Sequence, residues 1–247
     1  MTLIVGHRGG RNLWPENSLT GFRNLCAHNV DAVEFDVHLS DAGELLVIHD
    51  PMLDRTTDAT GLVRSVTPEQ RRTIQLKDSA DTIPLLEDVL EVFANTSLGL
   101  HIELKADQNG MPYTGMAAQI IAQVKAHGLA GRSILTSFQM EALDEVKSLA
   151  PDIARLCSVN AKSAERLGLT ETLKQAAERA EIIAIQMDLF AREWDAILAV
   201  LPLERLGAWV PNTATDIAAW LGRAPRSITS DDPVLAVSIR DGLNTAT

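Results

Sequence analysis

The chain has 247 residues, 46% of them hydrophobic, and its 33 acidic and 22 basic residues give a formal net charge of −11 at pH 7. This charge argues against nucleic acid or an anionic membrane surface as the main partner. No apolar run approaches the ~18 residues of a membrane span, and the first apolar run starts at Thr2 or Leu3, so we expect a cytoplasmic protein without stable membrane association. Two cysteines, Cys26 and Cys157, are expected to be buried, reduced thiols.

A pattern of short strand, polar loop and amphipathic helix recurs along the chain. Eight such units favour an α/β fold of the (β/α)8 TIM barrel type over an open doubly wound sheet. The loop after the first strand, "GHRGGR", also lacks the G-x-G-x-x-G fingerprint that open sheets carry there. The predicted strands, identified as short aliphatic and β-branched runs, are residues 2–6, 32–39, 99–105, 133–138, 154–159, 182–187, 205–210 and 227–230.

Helix starts and the lack of linkers complete the predicted architecture. Ser18 precedes the apolar positions of the first helix, Pro84 is expected in the first turn of "PLLEDVLEVF", and Thr213 has Asp216 three residues later, as in a capping box. No low-complexity tract or change in composition divides the sequence. Residues 1–247 are therefore predicted to form one domain.

One segment after the second strand breaks the repeat. Residues 44–50 follow the turn sequence Asp41-Ala42-Gly43, which predicts a hairpin-like excursion. Residues 50–83 then precede the next helix, and Thr67-Pro68-Glu69-Gln70 within them is typical of the start of a short helix. We predict an insertion at about 44–83, and we favour a cap over the strand ends rather than a decorative segment.

Charged residues follow the predicted strands at the end where barrel enzymes carry their chemistry. Glu34 and Asp36 share one face of the second strand, and Glu103 and Lys105 share one face of the third. Inward salt bridges are the structural alternative, but three carboxylates against one lysine leave buried charge uncompensated. Hard oxygen ligands suit Mg²⁺ or Ca²⁺. The sequence therefore predicts one divalent cation, Mg²⁺ or Ca²⁺, held by Glu34, Asp36 and Glu103.

Two histidines and two cations are expected beside this site. His7 and Arg8 end the first strand, His49 ends the excursion and Lys105 ends the third strand. A metal, two imidazoles and groups that bind oxyanions are what displacement at a phosphodiester requires. An arginine fork can bind two phosphate oxygens at once. The sequence leaves open which histidine is the acid and which is the base.

The order of these motifs, "GHRGG…PEN", "VEFDVHL", "VIHDPMLDRTT" and "HIELK", resembles the glycerophosphodiester phosphodiesterase family. The resemblance continues through "IPLLEDVLEVF" and the late "ITSDDP", and is densest over residues 5–105. It implies a barrel, a divalent metal, and hydrolysis of small glycerophosphodiesters to an alcohol and glycerol 3-phosphate. By position it implies catalytic His7 and His49, metal ligands Glu34, Asp36 and Glu103, phosphate-binding Arg8 and Lys105, and bracing residues Glu16 and Asn17.

The late part of the chain departs from the family. Where such proteins often carry Trp-Thr-Val-Asn, this chain has "WVPN", and Pro211 is expected to alter the pocket for the alcohol. Phe138, Gln186 and Trp209 lie at the ends of later strands and are candidate pocket residues, with ordinary barrel lining as the alternative. His38 shares the face of Glu34 and Asp36 and is left unassigned.

Two other functions stay open at this stage. A related barrel could act on lysophospholipids by phospholipase D-type chemistry, which would require an apolar or basic rim. A non-catalytic barrel could retain only phosphate binding, but such a protein would tolerate the loss of a histidine or a ligand. Every motif position is filled in this sequence, which favours the enzyme.

Overall fold

The computed structural model describes residues 1–165 and 167–245. Within these residues, parallel strands form a continuous ring, and one further strand pairs antiparallel with the second strand of that ring. The strands are β1 Leu3–His7, β2 Ala32–Leu39, β3 Leu45–Val47, β4 Gly99–Leu104, β5 Ser133–Ser137, β6 Ala154–Val159, β7 Ile182–Gln186, β8 Leu206–Trp209 and β9 Ser227–Ser230.

The ring closes because β1 pairs with both β2 and β9. Its order is β1-β2-β4-β5-β6-β7-β8-β9, and helices surround it, so the predicted (β/α)8 barrel is confirmed. The helices are α1 Leu19–Leu25, α2 Pro68–Arg71, α3 Leu86–Phe93, α4 Met116–Ala126, α5 Met140–Leu149, α6 Ala161–Ala164, α7 Leu169–Arg179, α8 Met187–Arg192, α9 Trp194–Leu198, α10 Ala214–Arg223 and α11 Pro233–Thr245.

Most predicted element boundaries agree with the structure, and the differences have local causes. The ring strands begin and end within one residue of prediction, and Ser18 and Thr213 cap α1 and α10. Pro84 does not open α3, which begins at Leu86. The Pro84 carbonyl accepts a hydrogen bond from Val47 N of β3 at 2.9 Å, so this residue continues the strand-like segment instead. The predicted strand 44–50 is shortened to β3, Leu45–Val47.

The alternation of β2 explains how the fold places charge inside the ring. Val33, Phe35 and Val37 are fully buried between the barrel and the helices. There Phe35 packs edge-on against Phe22 of α1, with ring centroids 5.6 Å apart. Because successive strand residues point to opposite faces, burying this apolar face outside the ring turns Glu34 and the other even-numbered residues into the barrel interior.

The segment after β3 forms a small hydrophobic core of its own beside the barrel. Thr67 caps α2 in a capping box with Gln70, as predicted. Residues 51–83, all of them described, contribute none of the side chains that line the central cavity. The cap over the strand ends stays a prediction. The core of the segment is formed by Leu46, Ile48, Leu53, Val63, Val66, Leu76 and Ile83.

Three further expectations concern the chain as a whole. Both cysteines are free thiols. Cys157 is buried as expected, and burial raises its pKa to about 12. Cys26, at the end of α1, is only half-buried. No helix within the described residues is long and apolar enough to cross a membrane. One domain over 1–247 stays a prediction.

Candidate active site

A cavity of about 280 Å³ opens at the carboxyl ends of the strands. One wall is polar and comes from β1, β2, β4 and the segment after β3, with His7, Arg8, Glu34 and His49 among its residues. The opposite wall is largely apolar and comes from the later strands. Its apolar side chains are Phe138, Leu156, Ala184, Trp209 and Val210, and the hydroxyl residues Thr136 and Ser158 also line it.

The "HRGG" loop turns sharply so that two neighbouring side chains face this cavity. His7 is the last residue of β1, and Arg8 adopts a left-handed conformation with φ of 52°, which costs a non-glycine residue of order 1 kcal/mol. Gly9 follows with φ of 80°, and a Cβ there would lie 2.9 Å from the ring of Phe22. Glycine is therefore required by both the backbone angle and the packing.

His7 is held by a carboxylate from the far end of the chain. Its Nδ1 is hydrogen-bonded to Asp231, which follows β9, and its Nε2 lies 3.8 Å from Glu34 Oε2. Asn212 donates to Asp231 Oδ2 at 2.7 Å and accepts from the Asp231 backbone N at 2.9 Å. These contacts fix the ring so that Nε2 is the nitrogen facing the carboxylate cluster.

His49 has the same kind of support from a different element. Its Nδ1 lies 2.5 Å from Oδ1 of the adjacent Asp50. Burial lowers the pKa of His49, and the positive charges of Lys105 and Arg8 act in the same direction, against the opposing effect of Asp36. The imidazole is therefore neutral near pH 7, with Nε2 available as a proton acceptor.

Three buried carboxylates lie between the histidines. One oxygen from each of Glu34, Asp36 and Glu103 lies within 4.8 Å of the other two. Lys105 Nζ donates to Glu103 Oε1 at 2.8 Å and lies 3.3 Å from Asp36 Oδ1. Burial raises the pKa of Glu34, and repulsion from Asp36 and Glu103 raises it further. Burial would also raise the pKa of Asp36, but Lys105, His49 and Arg8 hold it well below its usual range.

The donor set fits a hard divalent cation. Asp36 Oδ1 is buried and accepts no hydrogen bond from any residue of the described part of the chain. This oxygen has the Lys105 ammonium 3.3 Å away but no hydrogen bond, and it lies within a cluster of like charges; a cation bound there would remove both penalties. Oxygen-only ligands on two neighbouring strands suit Mg²⁺ or Ca²⁺ better than zinc.

The two bracing residues predicted from "PEN" each hold a functional group. Asn17 donates from Nδ2 to Asp36 Oδ2 at 2.9 Å and thereby orients that carboxylate. Glu16 accepts from Arg8 at 3.0 Å. The Arg8 guanidinium also has its Nε 3.4 Å from Asp36 Oδ2, so it is held beside the cluster while lining the cavity.

Of the three pocket residues predicted on the later strands, two line the cavity and one does not. Phe138 and Trp209 line the cavity and pack edge-on, with ring centroids 5.6 Å apart. Trp209 Nε1 donates to the Ala184 carbonyl at 3.1 Å, which fixes the indole. Gln186, the last residue of β7, is not among the described residues that line the cavity. Of the "WVPN" run, Asn212 supports Asp231, and Pro211 accepts from Ser230 Oγ through its carbonyl.

Sequence reasoning missed several residues of the site. Asp50 adjoins His49, and Asp231 lies in "ITSDDP" after the last strand, so both were visible in motifs but had no assigned role. His101 shares the inward face of Glu103 and lines the cavity, and burial lowers its pKa to about 4. Arg55, which binds Asp50 and Glu16, had no signal beyond its place in a motif.

The unassigned His38 has a structural position. Its Nδ1 lies 2.9 Å from the Tyr113 hydroxyl, and its Nε2 lies 3.0 Å from the His49 carbonyl oxygen. Burial lowers the pKa of His38 to about 4, so the ring is neutral and donates one of these bonds. His38 thus holds the backbone of His49 without lining the cavity.

Comparison with known proteins agrees with this geometry. The profile of the glycerophosphoryl diester phosphodiesterase family matches residues 7–191. The chain belongs to this family. A crystal structure of a candidate family member from Agrobacterium tumefaciens has a TM-score of 0.91 at 27% identity and covers 99% of both chains. A phosphodiesterase of Oleispira antarctica, solved with the product sn-glycerol-3-phosphate, has a TM-score of 0.80 at 26% identity and covers 98% of this chain and 97% of that one.

Curated family members match over a shorter region. A glycerophosphodiester phosphodiesterase of Caldanaerobacter subterraneus subsp. tengcongensis is 32% identical over 158 residues, which are 62% of this chain and 64% of that protein. The matched region of this chain spans less than two thirds of the curated relatives' length.

Proposed function

We propose that this protein hydrolyses glycerophosphodiesters to an alcohol and sn-glycerol 3-phosphate in a reaction that depends on a divalent cation. One observation carries the proposal. Two histidines, each held through Nδ1 by a carboxylate, line the same cavity as Arg8, Glu34 and Glu103, and Asp36 completes the buried carboxylate cluster beside that cavity. Family membership and the product-bound Oleispira relative support this substrate class.

Each side chain of the polar wall has a role in this proposal. Arg8 binds phosphate oxygens, since a guanidinium can donate to two of them at once. Lys105 is not among the described residues that line the cavity; it pairs with Glu103 and Asp36 and places its positive charge behind these carboxylates. These cations give an acidic protein a local site for an anion. Glu34, Asp36 and Glu103 would hold the cation.

When bound by these carboxylates, Mg²⁺ or Ca²⁺ would polarise a phosphoryl oxygen and lower the pKa of the nucleophile. The lowered pKa of His49 makes this ring the proton acceptor from the nucleophile. His7 is left to donate a proton to the departing alkoxide, with Asp231 fixing its orientation through Nδ1. The two carboxylate partners hold Nδ1 of each ring, which leaves Nε2 of each ring for the substrate.

A second candidate is the hydrolysis of lysophospholipids, and one observation favours it. Leu13 and Met111 are exposed and lie on segments that follow the parallel strands β1 and β4, at the end of the barrel where the cavity opens. Apolar side chains at a cavity mouth suit a lipid surface. The net charge of −11 opposes binding to anionic lipid. We therefore favour small diesters, with a cytoplasmic location as part of the proposal.

The test is the release of glycerol 3-phosphate from a panel of soluble glycerophosphodiesters. The enzyme is treated with EDTA and assayed again after Mg²⁺ or Ca²⁺ is added, with His49→Ala alongside. We expect turnover that the metal restores and that the variant lacks. Higher activity on lysophospholipid micelles would favour the second candidate. Diester binding without turnover in any metal would leave a barrel that only binds phosphate and would refute the proposal.

A further inference from the structure

Arg55 makes the densest set of hydrogen bonds that the inserted segment directs at the barrel mouth. Its Nε and one terminal nitrogen donate to Asp50 at 2.6 and 3.1 Å. Its two terminal nitrogens donate to Glu16 at 2.9 and 2.8 Å. One guanidinium therefore binds two carboxylates that come from different loops of the barrel.

Each of these carboxylates holds a different group of the proposed reaction. Asp50 binds His49 Nδ1, and Glu16 binds Arg8. Arg55 thus stands between the proton acceptor on one side and the phosphate-binding arginine on the other. These hydrogen bonds of Arg55 connect the loop after β1, which carries Glu16, to the segment after β3, which carries Asp50.

We propose that Arg55 is a positioning residue that fixes His49 and Arg8 relative to each other through Asp50 and Glu16. The proposal rests on the function proposed above. It gives residues 51–83 a role at the active site, although none of them lines the cavity. The segment delivers one guanidinium to the mouth, and its small hydrophobic core fixes the backbone from which that side chain extends.

Charge and burial agree with this role. Burial would raise the pKa of Asp50, but hydrogen bonds from Arg55 and His49 lower it to about 2. Glu16 is 12% exposed, and Arg55 and Arg8 lower its pKa against the effect of burial. Both carboxylates are therefore ionised and oriented at neutral pH. Loss of Arg55 would leave Glu16 free to rotate with Arg8 and Asp50 free to rotate away from His49.

The experiment compares wild type, Arg55→Ala and Arg55→Lys in the same diester assay. Arg64→Ala is the matched control, because Arg64 lies in the same segment and binds Asp41 and Asp107 instead. We expect kcat to fall about 10–100-fold in Arg55→Ala, the size typical of residues that orient a catalytic group. Arg55→Lys should recover only part of this, since an ammonium cannot bind two carboxylates in the planar bidentate geometry. Arg64→Ala should remain within about twofold of wild type.

Two further measurements separate positioning from mere stability. Guanidinium chloride at low millimolar concentration should restore part of the kcat of Arg55→Ala, because the Arg55 side chain is 45% exposed and its site is open to a small cation. The same addition should leave Arg64→Ala unchanged. In a double-mutant cycle, Arg55→Ala combined with Asp50→Asn should lose less than the product of the two single losses, since both act on His49.

The outcomes distinguish this inference from the function on which it rests. Full kcat in Arg55→Ala, or a loss that is fully additive with Asp50→Asn and unaffected by guanidinium, would overturn the role of Arg55 while leaving the enzyme's function in place. Absence of turnover in wild type with every metal would overturn the proposed function and the Arg55 role with it.

Discussion

Around the barrel mouth, β1, β2 and β4 bring ionised side chains to the cavity, whereas β5 to β8 bring Phe138, Leu156, Ala184 and Trp209. In the first half, nearly every charged group has a partner that fixes its orientation, such as Asp231 for His7 and Asn17 for Asp36. In the second half, apolar packing dominates, and the Trp209 indole makes one hydrogen bond to a backbone carbonyl.

This difference separates two tasks of the same cavity. Reaction at phosphorus needs charges held in fixed positions, because their effect depends on where charge develops. Recognition of an alcohol needs mainly a wall of suitable shape. We therefore expect substitutions in the first half to lower kcat for every diester, and substitutions in the second half to change which diester is preferred.

The largest expected effect comes from removing the proposed proton donor of the charged half. His7→Ala should lower kcat by about 10²–10⁴-fold, the usual contribution of general acid or base catalysis. The loss should be similar for all diesters, measured as glycerol 3-phosphate release at saturating metal. His127→Ala is the control, since His127 lies at the end of α4 and binds Gln123. A His7→Ala variant with more than a tenth of wild-type kcat would argue against the assigned role.

A smaller loss is expected when the support of His7 is weakened. Asp231→Asn keeps the shape of the side chain but offers an amide in place of the carboxylate that binds Nδ1. We expect kcat to fall about 10–100-fold with little change in KM. Asp232→Asn is the neighbouring control, because Asp232 caps α11 through Leu235 N. Equal effects of the two substitutions on kcat would contradict a specific role of Asp231.

The same comparison shows which features of the site the sequence could predict. The alternation of β2 and β4 placed Glu34, Asp36 and Glu103 on inward faces, and the structure brings those three carboxylates together. The barrel itself followed from the repeated strands and helices. Both inferences rest on local periodicity, which the amino-acid sequence displays directly.

What the sequence could not provide depends on contacts between distant segments. Asp231 meets His7 because β9 closes the ring against β1, 224 residues away along the chain. Arg55 meets Glu16 across 39 residues through the fold of the inserted segment. Neither pairing has a periodic signal. Pro84 was predicted in the first turn of α3 because proline is favoured at that position. In the structure its carbonyl instead accepts a hydrogen bond from Val47 N of β3, and this contact with a neighbouring strand outweighs the local preference.

In the apolar half, we expect a change of preference rather than of chemistry. Phe138 lines both the reaction cavity and a second cavity, which Gln139, Asn160 and Lys162 also line. Phe138→Ala should join the two and raise kcat/KM for diesters with bulky polar alcohols relative to small ones, by up to about tenfold. Phe138→Leu should give an intermediate ratio. An unchanged ratio, or an equal loss on all diesters, would mean that the two halves do not divide the tasks as described.

The smallest effect concerns stability and again involves the charged half. The pKa of Asp50 is lowered to about 2, so its interactions with Arg55 and His49 stabilise the fold above about pH 4 and are lost as the pH falls towards 2. Asp50→Asn should therefore lower the free energy of unfolding at pH 7 by about 1 kcal/mol, after allowance for the solvent screening of this quarter-exposed carboxylate.

In thermal unfolding followed by circular dichroism, this corresponds to a Tm lower by about 2–4 °C for a chain of this size. As the pH is lowered from 7 to 2, the gap between wild type and Asp50→Asn should narrow below about pH 4 and close only as the pH approaches 2, because protonation removes in wild type what the substitution has already removed. A gap that is constant across this range would show that the Asp50 carboxylate does not stabilise the mouth through its charge. Its support of His49 would then rest on hydrogen-bond geometry alone, which the asparagine side chain retains in part.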